Sequence, residues 1–180
     1  MNAANQRCLG GGGVDGAIHR AAGPSLRAEC LQLPQQPPGS EVRCPTGTAV
    51  ITGGGHLAAK HVIHTVGPIY VSPAESAPLL YGAFASSLDL AYSNALKSIA
   101  FPAISCGIYG YPADEAPGVA LDALQAVAAA NAGGSVESVA MILFEDHLFA
   151  AFVRAAEQRL PRAGNDNGPG GTAPPRAYTA

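Results

Sequence analysis

The sequence lacks tryptophan and has little charge of either sign. Only 10 Lys and Arg stand against 13 Asp and Glu among 180 residues, and the formal net charge is −3 at pH 7. So few basic residues do not suggest a positively charged surface that would bind a nucleic-acid backbone. We therefore expect no nucleic-acid partner. An anionic ligand would have to be held by something other than a basic patch.

The sequence also lacks the cysteine spacing of a disulfide framework or a zinc knuckle. Its cysteines are widely separated and include no CxxC pair: Cys8, Cys30, Cys44 and Cys106. No charged segment followed by an apolar one opens the chain, and no apolar run approaches the roughly 20 residues of a membrane span. These absences predict a reduced, cytoplasmic protein without a membrane partner.

Composition changes sharply near the C-terminus. Residues 164–180, GNDNGPGGTAPPRAYTA, are rich in Gly, Pro and polar residues and have no hydrophobic periodicity. Such a segment buries too little apolar surface to offset the entropy of ordering it. We predict one domain over residues 1–161, which is long enough for a single core, and a disordered tail over residues 162–180.

Short β-branched runs alternate with longer Ala-rich helical patterns in the rest of the chain. The predicted strands are residues 48–52, 61–66, 98–105 and 138–144. The predicted helices are roughly residues 14–22, 25–33, 77–97, 113–131 and 146–160. This alternation predicts an α/β layered fold with its ligand loops beyond the carboxyl ends of the strands. The near-continuous apolarity of the strands predicts a sheet covered on both faces.

A run of four glycines, Gly10 to Gly13, directly precedes Val14, Asp15 and the helical pattern AIHRAA. This layout leaves free backbone N–H groups at a helix N-terminus, where phosphate binds without cationic side chains. Glycine lets the backbone approach a ligand closely. Taken alone, however, the run fits a phosphate cradle and a plain flexible turn equally well.

A second glycine loop, SCGIYGY at residues 105–111, follows the apolar pattern SIAFPAI and precedes a helical pattern that opens at Pro112. It too would aim backbone amides at an anion. Two such loops in one small domain fit a diphosphate held from both sides. Tyr109 and Tyr111 either offer aromatic faces to a ribose or a base, or pack on the sheet.

Five motifs follow one another along the chain: NAAN (2–5), GGGGVDGAIHRAAG (10–23), CPTGTAVIT (44–52), HVIHTVGP (61–68) and FPAISCGIYGYP (101–112). In this order they resemble the macrodomain family, in particular its MacroD-type branch, over roughly residues 2–160. The resemblance implies a three-layer α/β/α fold with a mixed central sheet.

The resemblance also implies an activity. Members of that branch bind ADP-ribose and, without a metal or a cofactor, remove mono-ADP-ribose from acidic side chains of proteins or deacetylate O-acetyl-ADP-ribose. The expected partners are these ADP-ribose compounds and mono-ADP-ribosylated proteins, bound by a monomer. Two alternatives stay open: a non-catalytic ADP-ribose-binding module, and an inactive truncated fragment.

Site residues follow from the same resemblance. Asn5 matches the asparagine that positions the distal ribose, and Asp15 matches the aspartate that orients or activates the attacking water. An amide can donate to and accept from ribose hydroxyls, and a carboxylate can take a proton from water. Without the resemblance, Asp15 would be a residue favoured by the helix dipole. The remaining matches are substrate-binding residues: Gly12, Gly13, Val14, Ser105, Cys106, Gly107, Ile108, Tyr109 and Gly110.

The sequence departs from the family in two places. The family has strands before NAAN, including a Gly-Asp-Ile/Val segment whose Asp contacts adenine, whereas Met1 directly precedes Asn2 here. An N-terminally truncated sheet without most of one central strand is therefore expected. Cys106 replaces the Thr of an STG triplet, and we expect the loop conformation to survive. A nucleophilic Cys106 is disfavoured because no histidine has an activating spacing.

Three histidines lie near the motifs and could support them. His19 follows Asp15 by four residues and could orient it from the next helical turn. His61 and His64 lie in a strand pattern and are expected to point to opposite faces, packed or hydrogen-bonded rather than binding a ligand.

Overall fold

The computed structural model describes residues 1–160, and these contain five strands and five helices. In chain order they are β1 (Asn2–Ala3), α1 (Gly13–Ala22), α2 (Pro24–Gln32), β2 (Ala49–Gly53), β3 (His61–Thr65), α3 (Pro73–Ser93), β4 (Ser98–Phe101), α4 (Ala116–Ala130), β5 (Ser138–Met141) and α5 (Asp146–Arg159). The predicted tail, residues 162–180, and the predicted boundary before it lie outside the described residues.

The strands form two ladders that meet at β1. In one ladder β3 pairs parallel with β1 and antiparallel with β2, and in the other β4 pairs parallel with β5. The Met1 ammonium nitrogen donates to the carbonyl oxygen of Ala100 at 2.7 Å, so β1 lies between β3 and β4. The sheet is mixed, as predicted.

Helices pack on the two sides of this sheet. α1 and α2 contact β1 and β2, whereas α3 contacts β2, β3 and β4 and is covered by α4, which in turn contacts α5. Neighbouring side chains of β3 belong to two different hydrophobic clusters, since Val62 packs with Leu26 and Ile63 packs with Phe84. That alternation is what an extended strand imposes. The predicted three-layer α/β/α fold is confirmed.

Several predicted boundaries differ from those in the structure. β4 ends at Phe101 instead of residue 105 because Pro102 has no N–H to donate to a ladder. α3 begins at Pro73 instead of residue 77, since the Ser72 side chain caps it by accepting from Glu75 N at 3.3 Å. α4 begins at Ala116, three residues later than predicted.

The prediction that all strands are covered on both faces is wrong for β4 and β5. Residues of β3 after His61 are buried, but exposed and less exposed residues alternate along β4 and β5. α3 packs against one face of β4, whereas Ser98 and Ala100 are exposed. An apolar run alone does not reveal how many faces a helix covers.

Two further findings concern the thiols and the helices. All four cysteines are free thiols. No helix within residues 1–160 is long and apolar enough to cross a membrane.

Candidate active site

A cleft of about 260 Å³ lies beyond the carboxyl ends of β1, β3 and β4. This is the edge at which ligand loops were expected. All but two of the predicted site residues line it: Asn5, Gly12, Gly13, Val14, Asp15, Ser105, Gly107, Ile108 and Tyr109. Cys106 and Gly110 belong to the same loop but are not among the lining residues.

The first wall of the cleft is the glycine run and the first turn of α1. Gly12 is the N-cap of this helix and no side chain caps it. Consequently, the N–H groups of Gly12, Gly13 and Val14 have no acceptor among residues 1–160. Glycine is required at Gly16, where a Cβ atom would collide with the carbonyl oxygen of Gly11. The positive end of the helix dipole thus faces the cleft with unused donors.

The second wall is the loop that follows β4. Its ends are held together by a bond from Tyr111 N to Ser105 O at 2.9 Å, and Ser105 adopts a positive φ of 66°. The tip is tied to the segment after β3, because Tyr70 N donates to Tyr109 O at 2.8 Å. The N–H groups of Gly107, Ile108 and Tyr109 have no protein acceptor in the described part of the chain. Both loops therefore present free amide donors.

The cleft has no cationic side chain among its lining residues. Asp15 is the one carboxylate there, and the Tyr109 phenol is the one other ionisable group. The donors that could hold an anion are therefore main-chain N–H groups, which suits a phosphate ester at a helix N-terminus. This agrees with the low content of Lys and Arg.

Asp15 is buried at the floor of the cleft, and two polar side chains lie next to one of its oxygens. The residue is 3% exposed, and its Oδ1 accepts a hydrogen bond of 2.8 Å from Asn2 Nδ2. His19 Nε2 lies 3.5 Å from the same oxygen, as expected for a neighbour one turn along α1. The other oxygen, Oδ2, is thereby directed towards Gly11.

Asn5 meets Asp15 above Gly11. A Cβ atom on Gly11 would lie 3.0 Å from Asp15 Oδ2 and 3.1 Å from Asn5 Nδ2, so glycine leaves open the place where the two polar groups converge. The Asn5 amide is held in this orientation, since its Oδ1 accepts from Arg7 N at 3.0 Å and its Nδ2 donates to Gly10 O at 3.1 Å. A polar ligand atom above Gly11 would contact both side chains.

A buried polar network supports Asp15 from beneath. Asn2 Nδ2 lies 3.1 Å from His64 Nδ1, and His64 Nε2 lies 2.9 Å from Thr52 Oγ1. Because the amide nitrogen can only donate, His64 accepts at Nδ1 and carries its proton at Nε2. Burial lowers the pKa of His64 from 6.5 to about 4, with further lowering from His19 and the chain's N-terminal ammonium. The ring is therefore neutral at pH 7.

Sequence reasoning placed His64 correctly but missed Asn2. His61 is exposed and His64 is fully buried and hydrogen-bonded, so the prediction of opposite faces is confirmed. Asn2 pairs with His64 through the β1–β3 register, which no local pattern of the sequence reveals. Only its place in the NAAN motif could have drawn attention to it.

The ligand atoms of His19, Cys30 and His64 lie within 4.8 Å of one another, close enough for a metal site. However, both ring nitrogens of His64 are already engaged, one as acceptor and one as donor. Burial also raises the pKa of Cys30 to about 11, which keeps the thiol protonated. These three residues thus offer no ready ligand set, and we interpret them as polar packing.

The remaining candidates are structural. Burial, aided by Glu145, raises the pKa of Cys106 to about 11, so this residue is a thiol rather than a nucleophilic thiolate. Tyr111 is 3% exposed and packs edge-on against Tyr70 with ring centroids 4.9 Å apart. Of the two tyrosines considered for ligand contact, therefore, Tyr109 alone lines the cleft.

Comparison with known proteins gives consistent matches. The profile of the Macro domain family matches residues 1–120. A Macro domain-containing protein of Vibrio parahaemolyticus is 54% identical over 125 residues, which are 69% of this chain and 72% of that protein. An O-acetyl-ADP-ribose deacetylase of Citrobacter rodentium is 44% identical over 160 residues, covering 88% of this chain and 87% of the relative. The Oceanobacillus iheyensis macrodomain solved with ADP is 39% identical with a TM-score of 0.78, over 87% of this chain and 81% of that one.

Proposed function

Since the chain belongs to the Macro domain family, we propose that it binds ADP-ribose and hydrolyses esters of its distal ribose. O-acetyl-ADP-ribose is one such ester, and mono-ADP-ribose linked to an acidic side chain of a protein is another. The observation that carries this proposal is the convergence of Asp15 Oδ2 and Asn5 Nδ2 above Gly11, between two loops of unused amide donors.

The two glycine loops would bind the diphosphate. The first turn of α1, whose N–H groups have no protein acceptor among the described residues, lines the cleft, and so do Gly107, Ile108 and Tyr109 of the second loop. Donors fixed in the backbone are already oriented before the ligand arrives, so little entropy is lost in ordering them. The diphosphate would thus be held by fixed N–H donors rather than by positively charged side chains.

Asn5 and Asp15 would act at the distal ribose. The Asn5 amide would hydrogen-bond a ribose hydroxyl, and Asp15 Oδ2 would accept a proton from a water molecule. The oxygen of that water bonds to the acyl carbon, the bond from this carbon to the ribose oxygen breaks, and the proton passes to the ribose oxygen. The products are a carboxylic acid and ADP-ribose.

We also propose that the reaction needs no metal ion. Each step above is assigned to a side chain or an N–H group that lines the cleft, and both ring nitrogens of the nearby His64 are engaged by Asn2 and Thr52. Turnover should therefore be the same with and without a chelator.

The test is a time course of ADP-ribose release from O-acetyl-ADP-ribose, with and without EDTA. We expect many turnovers per enzyme molecule in both samples. Saturable binding without release would contradict hydrolysis and leave a binding module. Release that stops in EDTA and returns with an added divalent metal would contradict only the metal-independent mechanism.

A further inference from the structure

Arg43 is a buried arginine beneath the turn that carries Asn5. Arg43 is 7% exposed. Its Nη1 donates to two carbonyl oxygens, to Arg7 O at 3.4 Å and to Glu41 O at 3.3 Å. Its Nε has no partner, and no carboxylate of residues 1–160 forms an ion pair with it. A buried guanidinium without a counterion is unfavourable for folding. Its contacts therefore require an explanation beyond stability.

The main chain of Arg43 holds the peptide that orients Asn5. Gln6 O accepts from Arg43 N at 2.7 Å and from Cys44 N at 3.1 Å. The N–H on the other side of that same peptide belongs to Arg7, and it donates to Asn5 Oδ1 at 3.0 Å. Because a peptide is planar, fixing its carbonyl fixes the direction of its N–H. The segment around Arg43 thereby sets the direction of the bond that holds the Asn5 amide.

The side chain of Arg43 holds the next peptide of the turn. Its guanidinium contacts Arg7 O, and Cys8 follows with a φ of 57°, which residues other than glycine rarely adopt. A conformation of this kind persists where the surroundings hold it in place. The guanidinium thus adds a restraint to a turn in which Cys8 N also donates to Asn5 O at 3.0 Å.

We propose that Arg43 is a positioning residue for Asn5, acting through the Gln6–Arg7 and Arg7–Cys8 peptides. This rests on the proposed function, in which Asn5 contacts the distal ribose. Loss of the guanidinium would let the turn relax, and the Asn5 amide would lose its alignment with that ribose. The diphosphate contacts come from other segments and would remain.

The experiment compares Arg43→Met, Arg43→Lys and, as a matched control, Arg159→Met. Arg159 lies at the exposed end of α5, where it pairs with Asp122 at 3.0 Å. Each variant is titrated with ADP-ribose and with ADP, which has no distal ribose, and its turnover of O-acetyl-ADP-ribose and its thermal unfolding are measured. For Arg43→Met we expect roughly tenfold weaker ADP-ribose binding and slower turnover, the size of one lost hydrogen bond, with ADP binding unchanged.

Arg43→Lys keeps a buried cation that can reach one of the two carbonyls, so its loss should be intermediate. If Arg43→Met fails to fold, Arg43→Lys provides the test. A parallel loss of ADP and ADP-ribose affinity would mean a purely structural residue and would overturn the positioning, as would unchanged ADP-ribose binding in both variants. If the wild-type chain itself neither binds ADP-ribose nor releases it from its ester, the proposed function fails first and Arg43 loses its role with it.

Discussion

At the scale of single residues, the proposed chemistry depends on one carboxylate. Asp15 is 3% exposed, and Asn2 binds one of its oxygens, which leaves the other for the cleft. The motif resemblance identified Asp15 and Asn5 from the sequence. It did not reveal that His64, far along the chain, supports Asp15 through Asn2, because that contact arises from strand pairing.

We predict that Asp15→Asn strongly reduces turnover but leaves binding intact. The amide keeps the size and can keep a contact with Asn2, yet it cannot take a proton from water, so turnover of O-acetyl-ADP-ribose should fall by about 100-fold or more. ADP binding, which relies on main-chain donors, should change little. Steady-state kinetics and calorimetry provide the two readings. Turnover at the wild-type rate would show that Asp15 does not accept the proton from water.

His64 should make the stability of the protein depend on pH. Its pKa is about 4 in the native state against 6.5 for a free histidine. Below pH 6.5 the unfolded chain binds a proton that the native ring does not, so stability falls as the pH is lowered from 6.5 to 4. The contribution is about 3 kcal/mol over this range. Chemical denaturation at a series of pH values measures it.

The control for this prediction is His61, an exposed histidine of the same strand. His64→Gln should lower stability at pH 7 but flatten its fall below pH 6.5, whereas His61→Gln should leave that fall as it is, because His61 is exposed and lies outside the buried network. An unchanged slope in His64→Gln would show that other groups cause the acid sensitivity.

At the scale of elements, the position of the second glycine loop depends on Gly67. A Cβ atom there would collide with Ser105 Oγ and Ile104 Cγ2, so the segment after β3 and this loop can pack together only if residue 67 has no side chain. The loop tip is also bonded to Tyr70. Binding by this loop therefore depends on a neighbouring segment that contributes no ligand-contacting side chain.

We predict that Gly67→Ala weakens ADP-ribose binding by roughly tenfold or more and costs about 1–3 kcal/mol of stability, because the loop must move to admit the methyl group. Gly118→Ala in α4 is the matched control, since its Cβ would meet only the movable guanidinium of Arg159. Calorimetric titration and thermal unfolding compare the two. Equal affinities would mean that the loop tolerates displacement.

The elements themselves were predicted in order and type, with errors at their ends. Hydrophobic periodicity indicated every helix and four strands, but it could not show that Pro102 ends β4 or that Ser72 caps α3. β1 has two residues, too few for any periodicity, and only its pairing with β3 defines it. Local patterns do not contain this tertiary information.

At the scale of the whole molecule, an anion site without cations should respond weakly to salt. The chain has a net charge of −3, and no Lys or Arg lines the cleft. Screening therefore has no attractive charge pair to weaken. We predict that ADP-ribose affinity changes by less than about threefold between roughly 50 and 500 mM NaCl. A loss of an order of magnitude would point to a basic residue that contacts the diphosphate.

The fold class could be predicted from the alternation of strands and helices together with the motifs, and the site from the motifs alone. The geometry could not. That Gly11 leaves open the place where Asn5 and Asp15 converge, and that Arg43 lies beneath that turn, are facts of packing between distant segments. The low content of Lys and Arg predicted that any anionic ligand would be held without a basic patch, and the residues that line the cleft include no Lys or Arg.

The central claim is that this cleft recognises ADP-ribose, and calorimetric titration of the 180-residue chain with ADP-ribose tests it most directly. We predict saturable one-to-one binding, tighter than that of ADP because Asn5 adds contacts to the distal ribose. A folded sample that releases no heat and shows no binding by a second method would contradict the claim.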